Sequence, residues 1–195
     1  MGKRYNKDHP IPRDYLAPEK SDRPKVLYRA VRPYLAPGES YLDVTCGYAV
    51  LADHVIPSHD PLSYTGFDMN EKVIDYCRAR HPKGTWSVSL SRNFPIETGY
   101  DVVFHIGVSS IRYNVHEIHK RIADRPEGPP RLVLVEHGAT EAGDDDTGLT
   151  YAAIREIYTG YGLNPADEGD FLAEGIPYPI RRWTILIRQK SRIVD

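Results

Sequence analysis

Two hydrophobic rhythms alternate along this chain: short apolar runs, and stretches in which apolar residues return every three or four positions. Pro24 opens the first helical stretch, where Leu27, Ala30, Val31 and Tyr34 fall at i, i+3, i+4 and i+7. Pro33 ends or kinks that helix, and Pro37-Gly38 forms the turn behind it. Short runs at Tyr41–Val44, Tyr64–Asp68, Thr85–Val88, Asp101–Ile106 and Arg131–Glu136 then read as strands. Helices fill the gaps. The first covers 48–55, with Tyr48, Leu51, Ala52 and Val55 on one face. The next covers 71–80 behind Asn70 as a cap, with Val73, Ile74 and Cys77 inward. A third covers 115–124, with Val115, Ile118 and Ile122 in register. A last helix over 150–161 places Ile154, Ile157, Tyr158 and Tyr161 on one stripe and stops at Gly162.

Strands that alternate with helices imply a parallel sheet covered on both faces. Near the end the rhythm changes. Residues 170–174 and 183–189 read as two strands joined by a Pro-rich link over 175–180, with no helix between them. The pattern therefore predicts an α/β fold, a doubly wound, mostly parallel, seven-stranded Rossmann-like sheet that closes in an antiparallel hairpin. Residues 1–23, with Pro10, Pro12 and Pro18 among charges and tyrosines, read as an N-terminal arm, and 24–195 as the domain. In such sheets ligands sit beyond the carboxyl ends of the strands, near the reversal of strand order. The residues after the first, second and fourth strands are thus expected to line one crevice.

Composition narrows the classes of function. A formal net charge of −2 and scattered basic residues provide no concentrated face for a phosphate backbone, so nucleic acid is not the expected partner. Cys46 and Cys77 belong to no metal-binding or disulfide spacing, and no metal is expected. The polar start lacks the apolar segment of a signal peptide and no run approaches a membrane span, which gives the expectation of a cytoplasmic protein. The acidic run Asp144–Asp146 reads as a solvated loop.

The chemistry concentrates in two segments, Asp43-Val44-Thr45-Cys46-Gly47-Tyr48-Ala49 after the first strand and Gly66-Phe67-Asp68-Met69-Asn70 after the second. With DVVFHIGV at the fourth strand and the terminal strand around Trp183, they resemble the class I S-adenosylmethionine-dependent methyltransferase family. That family's first motif is roughly Asp/Glu-x-Gly-Cys-Gly-x-Gly, which lets the backbone approach the ligand and leaves helix N–H groups for a carboxylate. Here Thr45 and Ala49 stand where the outer glycines are usual, and only Gly47 remains. A β-branched residue resists the positive φ such a loop asks for. The resemblance implies S-adenosyl-L-methionine as cofactor. It assigns Asp43 to the methionine ammonium, Asp68 to the two ribose hydroxyls, Met69 to the adenine face and Ser89 to the adenine edge. Thr45, Cys46 and Gly47 would form the loop beneath the methionine, and His105 the floor of the site.

Several residues keep a second reading. Asp43 and Asp68 can serve as caps of the turns that follow them. Cys46 and Cys77 suit packing better than nucleophilic attack. His105 and Tyr113 are the candidate catalytic residues, and Glu136-His137-Gly138 could face the acceptor. His116 and His119 are spaced like metal ligands, yet no third ligand follows, so a solvated face is expected. The Asn/Asp-Pro-Pro-Tyr loop and the Pro-Cys pair of nucleic-acid methylating enzymes are missing, which leaves a small molecule or a protein group as the acceptor. Three functions are thus in play: an active methyltransferase, a non-catalytic binding or partner subunit on that fold, and a nicotinamide-dependent oxidoreductase. The last lacks its G-x-G-x-x-G loop.

Overall fold

The computed structural model describes residues 22–89, 99–106, 115–138, 145–172 and 180–188. Its strands are β1 (Ser40–Val44), β2 (Ser63–Asp68), β3 (Thr85–Val88), β4 (Val102–Ile106), β5 (Leu132–Gly138), β6 (Leu163–Leu172) and β7 (Ile180–Arg188). They form one seven-stranded sheet in the order β3-β2-β1-β4-β5-β7-β6. Strands β1 to β5 run parallel, β7 is antiparallel to β5, and β6 is antiparallel to β7. The chain winds outward from β1 to β3, then returns to the other side of β1 as β4. The strand order therefore reverses between β1 and β4, which is where a ligand crevice opens in such sheets.

Among the described residues five α-helices flank the sheet: α1 (Arg23–Val31), α2 (Ala52–His59), α3 (Glu71–Arg80), α4 (Val115–Ala123) and α5 (Asp145–Gly160). Strand alternation divides the core in two. On one face Leu27, Val31, Val55, Ile74 and Cys77 pack against Tyr41, Tyr64, Trp86, Phe104 and Leu134. On the other, Ile118, Ile122, Ile154 and Tyr158 pack against Leu42, Val44, Phe67, Val103 and Val133. Gly66 in β2 keeps room for the first core, since a Cβ there would lie within 3 Å of the Trp86 ring. Among the described residues no helix is long and apolar enough to cross a membrane.

Four expectations about elements need correction. The helix expected over 48–55 is α2, which begins only at Ala52, because residues 47–51 form turns. Tyr48 and Leu51 are buried by those turns rather than by a helical face. Helix α5 starts at Asp145, so Asp145 and Asp146 lie in its first turn and not in a loop. Strand β6 begins at Leu163, well before residue 170. It is an edge strand, exposed along Asn164–Glu168, with a register shift between Pro165 and Asp167. An edge tolerates Pro and charge, so the apolar alternation that marks inner strands is absent. Arg23 belongs to α1 rather than to the end of the arm; residues 1–21 lie outside the described ones.

The amino ends of the strands are tied together. Arg131 donates through Nε to Glu39 Oε1 at 2.8 Å and through Nη2 to the carbonyl of Tyr34 at 2.7 Å. The other Glu39 oxygen accepts from the Ala36 amide at 2.8 Å, and Asp101 Oδ2 accepts from the Ser40 amide at 2.9 Å.

Candidate functional site

The loop after β1 turns three times through the left-handed region: φ is 52° at Thr45, 50° at Gly47 and 49° at Ala49. These are the three positions at which the resembling family carries glycine. The loop therefore has a glycine-loop shape with glycine at its centre alone. For Thr and Ala this backbone is strained by about 1–2 kcal/mol each. Local bonds hold it in place. Cys46 donates its amide to the Phe67 carbonyl and Ala49 to the Cys46 carbonyl, both at 2.8 Å. Thr45 Oγ1 donates to the Val44 carbonyl at 2.6 Å.

Asp68 ties this loop to the next helix. Its Oδ2 accepts from the Gly47 amide at 3.2 Å and its Oδ1 from the Asn70 amide at 2.9 Å. Asn70 itself caps α3 by accepting from Lys72 at 3.1 Å. Burial lifts the Asp68 carboxyl above its usual range, and the backbone bonds from Asn70, Gly47 and Met69 oppose that lift. An ionised carboxylate has about four lone-pair positions, so the three backbone donors leave one for a ribose hydroxyl. The capping and the ligand reading of Asp68 are therefore compatible. Met69 and Ser89 are half-buried nearby, and the Ser89 amide donates to the Asp68 carbonyl at 2.9 Å.

Asp43, at the carboxyl end of β1, is only 2% exposed. Oδ2 accepts from the Tyr64 hydroxyl at 2.9 Å, whereas Oδ1 is buried without a hydrogen-bond partner. Burial pushes this carboxyl up to about 8; the Tyr64 bond and the Arg23 charge pull it down, and Asp68 pushes it up. An orphaned carboxylate oxygen in a low-dielectric crevice is matched to a cation. A Cβ at Gly47 would meet nothing within 4 Å, so there is open space beside the loop. The ammonium and a ribose hydroxyl of S-adenosylmethionine fit this donor and acceptor set.

Arg23 and Glu136 were not singled out as a pair by the sequence, yet they form a buried salt bridge at 2.6 Å. Arg23 opens α1, and Glu136 is fully buried near the carboxyl end of β5. The pair therefore stands at the same edge as Asp43. The one available signal was a basic residue placed immediately before the helix-opening Pro24. Tyr64 was also missed; its inward phase on β2 next to Gly66 was the clue.

His105 is buried in β4, in register with Val44 and Val135. Burial lowers its pKa to about 4, against the raising influence of Glu136. His119 is also fully buried, a correction to the solvated face expected of it. It lies between Ile118 and Ile122 on the apolar side of α4, and its ring nitrogens bond to His105 and Tyr158. Cys46 sits in the core with its thiol held far above its usual range by burial and by Cys77. Cys77 donates its thiol to the Gly47 carbonyl at 3.3 Å. Tyr113 lies outside the described residues; the side chains of His116 and His137 are likewise not described.

No protein-family model matches the chain. In sequence it is 31% identical over 113 residues to phthiotriol/phenolphthiotriol dimycocerosates methyltransferase 1 of Mycobacterium ulcerans. That match takes in 54% of this chain and 41% of the relative, so the chain spans well under half of the relative's length. In structure it is similar to a chain of the Haloferax volcanii complex between the Trm112 methyltransferase activator and a methyltransferase. There the TM-score is 0.67 at 13% identity, covering 91% of this chain and 93% of the other. Magnesium protoporphyrin IX methyltransferase from Synechocystis, solved with bound S-adenosylhomocysteine, gives 0.61 at 16% identity, covering 97% and 90%. The fold is thus that of the class I S-adenosylmethionine-dependent methyltransferases. On that fold the first loop of this chain keeps one glycine of the three that the resembling family carries.

Proposed function

We propose that this chain binds S-adenosyl-L-methionine where β1 and β2 end and directs methyl transfer to a small-molecule or protein acceptor. The observation that carries the reading is the buried, unpartnered Oδ1 of Asp43 beside a loop with three left-handed residues. Asp43 would take the ammonium, Asp68 the ribose, and Met69 and Ser89 the adenine. Thr45, Cys46 and Gly47 would pass their backbone beneath the methionine. When bound, the cofactor supplies a sulfonium-activated methyl group, and its transfer is an in-line displacement that depends on alignment. The residues named here hold and orient; none has to form a covalent bond.

Calorimetric titration tests this directly. S-adenosylmethionine and S-adenosylhomocysteine are expected to bind and NAD is not. Asp68→Ala should weaken S-adenosylhomocysteine on the order of a hundredfold, through loss of the charge-assisted bond to the ribose and of the backbone bonds that shape the loop. Unchanged affinity in that variant sinks the site assignment.

A further inference from the structure

Three buried side chains from three different elements form one line behind the crevice. The Tyr158 hydroxyl in α5 is 2.8 Å from His119 Nδ1, and His119 Nε2 in α4 is 2.8 Å from His105 Nδ1 in β4. His105 is 1% exposed and the other two are fully buried. Every link contains one hydrogen atom, which can belong to either end, so the line can run in two directions.

Tyr158 decides which. Burial pushes its phenol well above the usual range, so the hydroxyl keeps its proton. That O–H is a donor in a dry core and needs an acceptor. Among the described residues its one hydrogen-bond contact is His119 Nδ1. The hydroxyl therefore donates to Nδ1, which must carry a lone pair. A neutral His119 then bears its proton on Nε2 and donates to His105 Nδ1. His105 in turn bears its proton on Nε2, for which the described residues provide no partner. The opposite direction would leave a buried phenol proton with nowhere to go.

We infer that Tyr158 and His119 lock His105 as a neutral Nε2–H donor at the carboxyl end of β4, where it receives an anionic oxygen of the methyl acceptor rather than removing a proton from it. The direction of the line follows from the burial of the Tyr158 hydroxyl and its single hydrogen-bond contact among the described residues; the acceptor part rests on the methyltransferase reading given above. A ring with a proton already on Nε2 has no lone pair there for a hydroxyl proton. The site then suits acceptors that arrive deprotonated, carboxylates and acidic phenols or enols, and not alcohols. His119 and Tyr158 are positioning residues in this scheme, since they act only through His105.

Histidine tautomers are read by long-range proton–nitrogen NMR on the protein without ligand. His105 and His119 are both expected with the proton on Nε2, and the His105 ring is expected to stay so between about pH 5.5 and 8, where an ordinary imidazole titrates. A proton on His105 Nδ1, or titration in that range, overturns the inference. Tyr158→Phe keeps the ring and removes the donor, so Nδ1–H forms of His119 and His105 should become populated. An unchanged tautomer in that variant equally overturns it. With the protein saturated in S-adenosylhomocysteine, benzoate is the anionic probe and benzyl alcohol the neutral one. Benzoate should shift the His105 Nε2–H resonance downfield and benzyl alcohol should not. No shift with benzoate, or equal shifts with both, overturns the anionic-oxygen assignment. Failure to bind S-adenosylhomocysteine would instead strike the methyltransferase reading, with the tautomer result left standing.

Discussion

The two ends of the parallel strands are built on opposite terms. At the amino end, each Glu39 oxygen has a donor: Arg131 serves one and the Ala36 amide the other. Asp101 in turn receives the Ser40 amide. At the carboxyl end, Asp43 keeps a buried oxygen without a donor, two non-glycine residues hold left-handed backbone, and His105 keeps a ring nitrogen unused by the described residues. Both ends belong to one sheet and are made of similar side chains. A buried polar group left without a partner costs stability, and at the carboxyl end of β1 the orphaned Asp43 oxygen coincides with strained backbone, which makes that end the candidate place for something that binds.

That contrast can be broken experimentally, and the largest effect is expected from acid. The unfolded His105 has the ordinary value of 6.5 and the folded one about 4, so below 6.5 the unfolded chain takes up a proton that the folded chain refuses. His105 therefore contributes stability that is complete above pH 6.5 and is lost as the pH falls towards 4, by roughly 3 kcal/mol in all. Urea unfolding of wild type and His105→Gln across that range measures it: the difference between them should shrink with acid, and a constant difference refutes the shift. At the satisfied end, Arg131→Met should cost about 2 kcal/mol by leaving Glu39 poorly paired, with S-adenosylhomocysteine affinity unchanged. A parallel loss of affinity would show that the two ends are not separable.

Smaller effects sharpen the picture at the ligand end. Thr45→Gly relieves the left-handed strain and should raise stability by about 1 kcal/mol, read as a shift in thermal midpoint. A destabilised variant would mean that the Thr45 hydroxyl bond to Val44 outweighs the strain. Finally, Asp43 is largely protonated near pH 7, because its folded value is about 8. An ammonium beside it favours the ionised form, so binding of S-adenosylmethionine should release a fraction of one proton at that pH. Calorimetry in buffers of different ionisation heat detects the release, and Asp43→Asn should abolish it.

Strands buried on both faces were legible in the sequence because they read as uninterrupted apolar runs, as RLVLVE does for β5. Helix α3 was legible to the residue, since Asn70 marks its start and Val73, Ile74 and Cys77 its inner stripe. Strand β6 was mostly hidden, because an edge strand has no apolar face to advertise itself. The start of α2 was misplaced because Tyr48 and Leu51 are apolar for the sake of a buried turn. At the candidate site, the positions of Asp43 and Asp68 at strand ends were legible in the sequence. The partners were not. Tyr64, Arg23 and His119 meet the site residues across 21, 113 and 14 positions of chain, counted to Asp43, Glu136 and His105 respectively. Such distances carry no local periodicity. His119 misled for a definite reason: beside His116 and charged neighbours it reads as polar surface, and only a bonding partner on each nitrogen makes its burial affordable.

The loop at residues 45–49 bears on how such proteins are to be found at all. Spelled in letters it has lost two of the three glycines that a motif would demand, and no family model takes the chain as its own. Spelled in backbone angles, the word is complete: three left turns at alternate residues. What has been kept is a shape that glycine adopts without strain and that Thr45 and Ala49 hold because the surrounding bonds require it. A catalogue indexed by dihedral angles would place this loop among glycine loops, and the chains that such a catalogue gathers around it would be the ones to search for a shared ligand.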